Sequence, residues 1–373
     1  TESFFKKKLK ELSKKGKKVV VAGCISQSDS DVKELEDFSL IGTYQIHNIT
    51  PVVEETLNGN TVRLVAEENE SRLNLPKIRQ NELIEIVPIS HGCDGHCTFC
   101  KTKQARGELY SYPIKDIVKH VKNAVNEGVR EIWLTSQDNG AYGLDIDTDF
   151  TELLKQILRI PGDYKIRVGM ANPWHMLDIL DEMIWLFKEH KKLFRFLHIP
   201  VQAGNNRVLK LMGRKHSAQD FKYITKRLRD SIDGFTIATD IICGFPTETD
   251  EEFDDTMDLI KGTRPDIVNI SKFWLRPGTA AQNLEQTPGA KIKARSQKLT
   301  RMFRDYMFEE NKRHIGTTTA FLVTEKGKDN TYIGRNDSYR QIVVASDENI
   351  MGEDIKAKII DCTSFYLIGK RID

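Results

Sequence analysis

The hydrophobic positions of residues 1–70 alternate between helical and strand spacing. Phe5, Leu9 and Leu12 recur at helical intervals, which predicts a helix over residues 3–15. The run KKVVVAG then predicts a strand that ends at Cys24, and two more helix–strand pairs follow, up to TVRLV. This alternation predicts a parallel sheet covered by helices. Because the pattern begins on a helix, we expect a further strand upstream of this sequence, so the domain is expected to be truncated.

A second and longer series of strands and helices begins after a polar segment. Residues 71–82 contain Pro76 and predict a linker. From 83 to 290 about six strand–helix units follow, each strand ending in a polar or glycine-containing loop. Six units are too few for a closed eight-fold barrel, so the pattern predicts an open, partial (βα)6 barrel. Barrels of this kind place their chemistry in the loops after the strands.

The last part of the chain changes character twice. Residues 291–314 carry eight Lys or Arg against three acids, which indicates either a solvated helix or a helix that faces phosphates. Residues 315–373 are short β runs separated by turn signals, and they predict a small antiparallel β-barrel.

Composition limits the class of protein without naming a partner. A hydrophobic content of 39% and a charged content of 29% are typical of globular domains, and 373 residues suggest two or three of them. We find no signal peptide and no membrane-spanning apolar run. The net charge of +2 neither favours nor excludes a nucleic acid. Six cysteines without a secretory signal indicate a reducing, cytoplasmic compartment and metal chemistry.

Three of the six cysteines lie within eight residues. Cys93, Cys97 and Cys100 occupy a loop with the spacing CxxxCxxC, flanked by small and polar residues that are poor core material. Zinc bound by these cysteines and either His91 or His96 is one interpretation, although structural zinc sites favour a second CxxC pair, which is missing. The other is a [4Fe–4S] cluster, in which three cysteines leave one iron open. The amino and carboxylate groups of S-adenosylmethionine suit that iron, and an electron from the cluster then releases a deoxyadenosyl radical.

The cysteine spacing after the first strand of a partial barrel resembles the radical S-adenosylmethionine superfamily. Further stretches resemble its methylthiotransferases, and most closely the archaeal and eukaryotic branch that acts on N6-threonylcarbamoyladenosine at position 37 of tRNA. These stretches are CKTKQARG, EIWLTSQDNGAYG, FLHIPVQAG, TDIICGFPTETDEEF and RPGT. The resemblance extends from AGCISQ to the carboxy terminus.

The resemblance implies three parts: an α/β domain, a radical barrel and an RNA-binding β-barrel called TRAM. It also implies a second [4Fe–4S] cluster in the first domain, with Cys24 as one ligand. No cysteine precedes Cys24 in this sequence, so we expect two further ligands upstream.

The implied reaction has two halves. One S-adenosylmethionine donates a methyl group to sulfur, and another yields the radical that removes hydrogen from adenine C2, where the methylthio group is added. The implied partners are tRNA through its anticodon loop, an electron donor and a sulfur source, with no membrane.

The resemblance also assigns site residues. Those for the catalytic cluster are Cys93, Cys97 and Cys100, and those for S-adenosylmethionine are Gln137, Gln202, Arg214 and Gly244 of ICGFP. Loop capping is the alternative role for both glutamines, and a surface ion pair is the alternative for Arg214. Cys243, Cys362 and His198 are predicted to be structural.

RNA contact is predicted for two regions. The carboxy-terminal barrel offers Lys326 and Arg335, together with Lys328, Arg340, Tyr332 and Tyr339. Lys101, Lys103 and Arg106 directly follow the cluster cysteines and are predicted to contact the anticodon loop or the threonyl carboxylate.

Two other functions stay open from the sequence. One is a metal-containing RNA-binding module without catalysis, which leaves six strand–helix units with loops at one end unexplained. The other is a methylthiotransferase for a ribosomal protein.

Overall fold

A computed structural model describes residues 2–71 and 73–372, so Thr1, Arg72 and Asp373 lie outside the described residues. The N-terminal domain consists of α1 (Glu2–Lys14), β1 (Val20–Ala22), α2 (Cys24–Ser28), β2 (Ser39–Ile41), α3 (Ile49–Leu57) and β3 (Arg63–Leu64), with 3-10 turns at Lys33–Leu35 and Ile46–Asn48. Its strands pair in parallel in the order β1-β2-β3, which confirms the predicted parallel sheet. Cys24 begins α2 instead of ending the first strand, because β1 ends two residues earlier.

The middle of the chain forms the open barrel. Its strands are β4 (Ile84–Pro88), β5 (Ser90–His91), β6 (Tyr110–Ser111), β7 (Glu131–Thr135), β8 (Lys165–Arg167), β9 (Phe196–His198), β10 (Thr236–Cys243) and β11 (Ile267–Lys272). Strands β5 and β6 form a small antiparallel hairpin, and the other six are parallel. A parallel bridge between Met170 and His198 joins the sheet β4-β7-β8 to the sheet β9-β10-β11. Among the described residues β4 and β11 do not pair, which confirms the open six-stranded barrel.

Helices cover the outside of this barrel. They are α4 (Thr102–Arg106), α5 (Ile114–Asn126), α6 (Phe150–Leu158), α7 (Pro173–Glu189), α8 (Asn206–Leu211), α9 (Ala218–Ser231), α10 (Asp250–Thr263) and α11 (Gly289–Lys312), with 3-10 turns at Asn139–Ala141 and Ala280–Asn283. Helix α5 shows why they pack: Ile117, Val121 and Ala124 lie on one face and are at most 2% exposed. Burial of an isoleucine or valine side chain contributes about 1.5–3 kcal/mol. None of the described helices is long and apolar enough to cross a membrane.

The C-terminal domain is a closed five-stranded barrel. Its strands are β12 (Thr318–Lys326), β13 (Thr331–Arg335), β14 (Gln341–Ala345), β15 (Asp354–Cys362) and β16 (Leu367–Ile372). They close in the order β12-β13-β14-β16-β15, which confirms the predicted small barrel. One pairing differs from the antiparallel prediction, because β14 and β16 run parallel.

The C-terminal barrel packs against the amino-terminal ends of the open-barrel strands. The Tyr339 ring lies 4.9 Å from that of Phe194 and 4.7 Å from that of Phe196, which begins β9. Lys165, at the start of β8, forms an ion pair of 2.6 Å with Asp337. The carboxyl ends of the open-barrel strands therefore lie on the side opposite to this contact. Loops at those ends are free to form a site.

Four of the residues predicted to contact RNA make contacts within the protein. The Arg335 guanidinium donates to Glu325 at 2.6 Å and lies over the rings of Trp133 and Tyr339, at 6.0 and 5.2 Å. Tyr332 is only 4% exposed, inside the core of its own barrel. Arg340 pairs with Asp266 at 2.6 Å. These side chains therefore have protein partners, and the contact of Arg335 with RNA stays a prediction.

The basic residues of α11 and its last turn are also largely paired within the protein. Of the eight Lys and Arg of residues 291–314, five form ion pairs in the described structure: Lys291, Arg295, Lys298, Lys312 and Arg313. Arg295 is 4% exposed and binds Glu248 at 2.7 Å. Three of these pairs, those of Lys291, Arg295 and Lys298, attach the helix to α10 and the residues before it, whereas Lys312 and Arg313 pair with Glu309 and Glu310 of the same helix.

The segment before β4 is attached to the open barrel by a buried carboxylate. Glu85 on β4 is 2% exposed and accepts hydrogen bonds from Lys77, Arg79 and His120. Burial alone would raise the pKa of Glu85, but the three hydrogen bonds outweigh it and lower the pKa to about 2. An ionised Glu85 therefore stabilises the folded state at neutral pH.

We expect Glu85→Gln to lower the free energy of unfolding by about 3 kcal/mol at neutral pH, because it removes the buried anion that Lys77, Arg79 and His120 share. The folded-state pKa of Glu85 lies below its unfolded value. Its contribution is therefore present above about pH 5 and is lost as the pH falls toward 2. Urea unfolding at a series of pH values should show the difference between wild type and variant shrink on acidification. Glu127→Gln, which removes the exposed partner of Arg79, should cost less than about 1 kcal/mol; a pH-independent difference for Glu85→Gln would contradict this account.

Candidate active site

The cysteine loop follows β5 of the β5–β6 hairpin and lies beyond the carboxyl end of β4. The Cys93 N–H donates to the Gly107 carbonyl at 3.2 Å and closes the base of the loop. Gly92 has φ +72°, and a Cβ there would lie 1.7 Å from the Glu108 carbonyl oxygen, so only glycine fits this turn. The hairpin therefore sets where the three thiols begin.

The far side of the loop is held by the end of α8. Thr98 donates through Oγ1 to the Leu211 carbonyl at 2.7 Å and through its N–H to the Met212 carbonyl at 3.0 Å. Gly213 has φ +70°, and a Cβ there would lie 2.8 Å from the His96 carbonyl oxygen. The loop is thus fixed at both ends before any cofactor binds.

The sulfur atoms lie among polar donors. The Gly95 N–H donates to Cys93 Sγ at 3.3 Å, and Arg214 Nη1 donates to Cys97 Sγ at 3.4 Å. Burial raises the pKa of the Cys93 thiol to about 11, and the nearby Asp138 carboxylate adds to the rise. The pocket therefore favours a thiol at Cys93 until a positively charged partner offsets the burial.

Arg214 is held in a stack of flat groups. Its guanidinium lies 4.5 Å from the centre of the Trp174 ring, and Trp174 stacks on His216 at 5.6 Å. Its Nη2 donates to Asn172 Oδ1 and to the Pro200 carbonyl, both at 2.7 Å. Arg214 is therefore directed toward Cys97 instead of forming the surface ion pair that was the alternative role.

Asp138 is a site residue that sequence reasoning missed. It is 1% exposed and accepts hydrogen bonds from the Asn172 N–H and Nδ2, the Gly140 N–H and His175 Nδ1, at 2.6 to 3.1 Å. It therefore joins the loop after β7 to the start of α7, the helix that carries Trp174. The signal was present, since QDN and NPWH both follow strands.

The predicted cofactor glutamines lie in the expected loops, and one has an unusual backbone. Gln137 Oε1 is buried without a hydrogen-bond partner among the described residues. Gln202 has φ +75°, a conformation that costs a residue other than glycine about 1 kcal/mol or more. Gly244 is placed differently: its N–H is held by Glu248 at 3.2 Å, and Ile292 of α11 covers its Cα.

Two cavities open at this end of the open barrel. The first, here called the mouth cavity, has a volume of about 360 Å³ and is lined by residues that include Cys100, Gln202, Asp240 and Lys272. The second, here called the interdomain cavity, has a volume of about 500 Å³ and lies between α2 and α4, with Cys24 in its lining. Both are lined by Lys101, Thr102, Trp274 and Arg276, so the two cavities share a wall.

The contact between the N-terminal domain and the open barrel is made next to that wall. Lys101 forms an ion pair of 2.8 Å with Asp29, and Thr43 Oγ1 donates to the Ala105 carbonyl at 2.7 Å. Cys24 is exposed, whereas Cys243 and Cys362 are buried as predicted. His198 Nε2 forms a hydrogen bond of 2.9 Å with the Asp240 carboxylate, which agrees with a structural role.

Comparison with known proteins identifies the family. Residues 87–260 match the model of the radical SAM superfamily, and residues 312–372 match that of the TRAM domain. The chain is 40% identical to the threonylcarbamoyladenosine tRNA methylthiotransferase of Drosophila melanogaster, over all of this chain and 69% of the relative. The chain belongs to the threonylcarbamoyladenosine tRNA methylthiotransferase family. It is also 42% identical, over 99% of its length and 87% of the relative, to a protein of Archaeoglobus fulgidus named "Probable threonylcarbamoyladenosine tRNA methylthiotransferase".

A solved structure shares the fold of this methylthiotransferase. It is the radical S-adenosylmethionine methyltransferase TsrM from Kitasatospora setae, which was solved with cobalamin and a [4Fe–4S] cluster bound. The TM-score is 0.55 at 15% identity, over 74% of this chain and 61% of TsrM. Membership of the radical SAM superfamily implies a [4Fe–4S] cluster and S-adenosylmethionine, and it decides against a non-enzymatic RNA-binding module.

The residues around Cys93, Cys97 and Cys100 fit these two groups better than zinc. A zinc site needs four ligands converging on one ion. His91 instead packs among tyrosine rings, and His96 is exposed. Gln137 Oε1 and Arg214 Nε are buried without hydrogen-bond partners in the described part of the chain, as expected where a polar ligand binds.

The lysines after the cluster cysteines are already engaged. Lys101 pairs with Asp29, and Lys103 binds both the Cys93 carbonyl and Glu108. Arg106 is half-buried at the end of α4. In the C-terminal barrel Lys326 and Lys328 are exposed.

We expect Arg214→Lys to lower reductive cleavage of S-adenosylmethionine about 10- to 100-fold while iron is retained. A lysine keeps the charge but cannot hold Cys97, Asn172 and the Trp174 ring together. The measurement is 5′-deoxyadenosine formed per iron in the reconstituted enzyme. Arg207→Lys, which alters an exposed pair with Glu252, should be silent. Loss of iron from Arg214→Lys would show that Arg214 holds the loop together instead.

Proposed function

We propose that this methylthiotransferase converts N6-threonylcarbamoyladenosine at position 37 of tRNA to its 2-methylthio derivative. The observation that carries the proposal is the wall shared by the mouth cavity and the interdomain cavity, with Cys100 on one side and Cys24 on the other. Replacing a C–H bond by a C–S bond requires removal of hydrogen and delivery of sulfur at the same carbon. Two cysteine sites on adjoining cavities suit that requirement, and the names of the relatives supply the nucleoside.

When bound, a [4Fe–4S] cluster and S-adenosylmethionine supply the radical that removes the C2 hydrogen, with an electron donor and a sulfur source as partners. We assign Cys93, Cys97 and Cys100 as the ligands of that cluster. The polar groups of S-adenosylmethionine would be held by Gln137, Gln202 and Arg214, which leaves Gly244 to shape the turn.

Several chain residues would protect and position these groups. Phe99, between the last two cysteines, packs edge-on against Phe245 at 6.3 Å and would keep water from the cluster. Asp138 would fix the start of α7, which carries Trp174, and with it the plane of Arg214. Cys24 is proposed as one ligand of a second [4Fe–4S] cluster, which its exposed position in the interdomain cavity supports.

The tRNA is proposed to contact two places, the C-terminal barrel and the region near the mouth cavity. Lys326 and Lys328 on the C-terminal barrel are exposed and suit phosphate contacts, and Arg106 is the proposed contact near the mouth. Lys101 and Lys103 would act mainly by holding the wall and the cysteine loop, since both have protein partners.

One assay tests the proposal. The enzyme is reconstituted anaerobically with iron and sulfide and given reductant, S-adenosylmethionine and tRNA carrying threonylcarbamoyladenosine. Mass spectrometry should detect 5′-deoxyadenosine and the 2-methylthio nucleoside together. The proposal is wrong if neither product forms in the presence of the modified tRNA, or if a ribosomal protein offered in parallel is methylthiolated instead. Deoxyadenosine alone would support the radical half and locate the failure in sulfur delivery.

A further inference from the structure

The segment after β11 places an exposed indole and two cations at the wall between the cavities. Trp274 is 74% exposed, although the residue before it, Phe273, is buried against Phe245 at 5.5 Å. Extended chain alternates its side chains, so burying Phe273 turns Trp274 outward. A tryptophan this exposed contributes little to the stability of the fold through burial of its ring. A ring at a cavity wall is suited to stacking on a ligand.

The two cations have no side-chain partner among the residues that the structure describes. Lys272 and Arg276 line the mouth cavity on either side of Trp274, and Arg276 also lines the interdomain cavity. In residues 2–71 and 73–372 neither side chain makes an ion pair or a side-chain hydrogen bond, whereas Lys101 in the same wall is paired with Asp29. Their charge is therefore available to a ligand.

Asp240, the acid that lines the same cavity, is engaged deeper in the barrel than the two cations. Its Oδ1 is engaged by His198 at 2.9 Å and Asn269 at 2.8 Å. Asn269 lies opposite Asp240 in the sheet, and Lys272 lies three residues nearer the mouth, about 10 Å further along the strand. The cavity thus has an acid at depth and free cations at its entrance.

We propose that Trp274, Lys272 and Arg276 recognise a purine nucleotide whose base carries a carboxylate-bearing side chain. Trp274 stacks on a base, and Lys272 and Arg276 bind the carboxylate, for which a guanidinium offers two parallel donors. The identity of that carboxylate as the threonyl group rests on the proposed function. The wall would then select modified tRNA and hold its base beside Cys100.

Equilibrium binding to anticodon stem-loop RNA tests this selection without any turnover. Three RNAs are compared: one with adenosine at position 37, one with threonylcarbamoyladenosine and one with the methyl ester of the threonyl group. The ester keeps the shape but removes the charge. Wild-type protein should bind the charged RNA about 10- to 100-fold more tightly than the other two.

The variants separate the roles. Lys272→Met combined with Arg276→Gln should lower the preference for the charged RNA to about onefold, so that it binds no more tightly than the other two RNAs. The affinities for those two RNAs should not change. Trp274→Ala should weaken all three RNAs about 5- to 100-fold, and Trp274→Phe should restore most of the loss. Matched controls on the outer helix α7 are Lys188→Met, which is exposed, and Trp185→Ala, where the ring is 50% exposed. Neither control should change binding.

Three results would overturn the assignment. Equal loss for all RNAs in the double variant, with a shallower salt dependence, would mean that the cations bind phosphates. Unchanged binding in every variant would mean that the wall faces only solvent. Equal wild-type affinity for charged RNA and ester would exclude carboxylate recognition.

Product formation by an enzyme without this preference would overturn the recognition alone, whereas intact preference without product would overturn only the proposed reaction.

Discussion

Replacing Cys97 by serine is expected to abolish 5′-deoxyadenosine formation, with a loss of at least about 1,000-fold, or about 4 kcal/mol in barrier. Cys97 is the middle cysteine of the loop, and its sulfur already faces the Arg214 guanidinium at 3.4 Å. A serine hydroxyl is a poor ligand for iron, because it holds its proton far more strongly than a thiol does. The cluster would lose one of three protein ligands, and the open iron that S-adenosylmethionine needs would be lost with it.

The measurement combines activity with content. Iron and sulfide per chain, the absorbance near 400 nm (an approximate property of such clusters) and deoxyadenosine should fall together. Cys362→Ser is the matched control, because Cys362 is 6% exposed in the C-terminal barrel, far from the loop in the fold. Full iron and activity in Cys97→Ser would refute the assignment of the cluster to this loop.

Replacing Cys24 by serine is expected to separate the two halves of the reaction. Deoxyadenosine should persist within about 3-fold, while the methylthio nucleoside should fall at least about 100-fold, equivalent to nearly 3 kcal/mol. The reason is geometric: Cys24 is exposed in the interdomain cavity, while the three cluster cysteines lie on the other side of the shared wall. The radical half should therefore not depend on Cys24.

The same Cys24→Ser enzyme should contain less iron than wild type if Cys24 binds a second cluster. The C362S variant again controls for the effect of losing one thiol. Two outcomes would contradict the role of Cys24. One is unchanged methylthio product, which would place sulfur delivery elsewhere. The other is loss of deoxyadenosine as well, which would show that Cys24 supports the radical site or the domain contact instead.

Much of the fold follows from local patterns. Helix α5 repeats its buried residues at helical spacing, and the β-branched runs before each polar loop became the six parallel strands of the open barrel. These patterns work because burying an apolar face is the dominant favourable term for each element. The cysteine spacing was informative for the same reason, since three thiols on a short polar loop have no use in a core.

The surroundings of the residues predicted to face RNA depend on contacts that no local pattern shows. In β13 the order TYIGR buries alternate residues, which a strand pattern anticipates. The pattern did not show that Arg335 and Tyr339 would be covered by Trp133, Phe194 and Phe196 from the open barrel. Whether a charged or aromatic residue faces solvent or another domain depends on docking, and docking is a property of two surfaces far apart in sequence.

Sequence alone therefore determined the order of the three domains' elements, the cysteine loop and its place after the first barrel strand, because these depend on neighbours along the chain. Only the tertiary structure decided which polar residues act together. Asp138 meets Asn172 and His175, Arg214 meets Cys97 across 117 positions, and Trp274 comes to stand between Cys100 and Cys24. The physical reason is that parallel strands bring their carboxyl ends to one edge, whatever their separation in the chain.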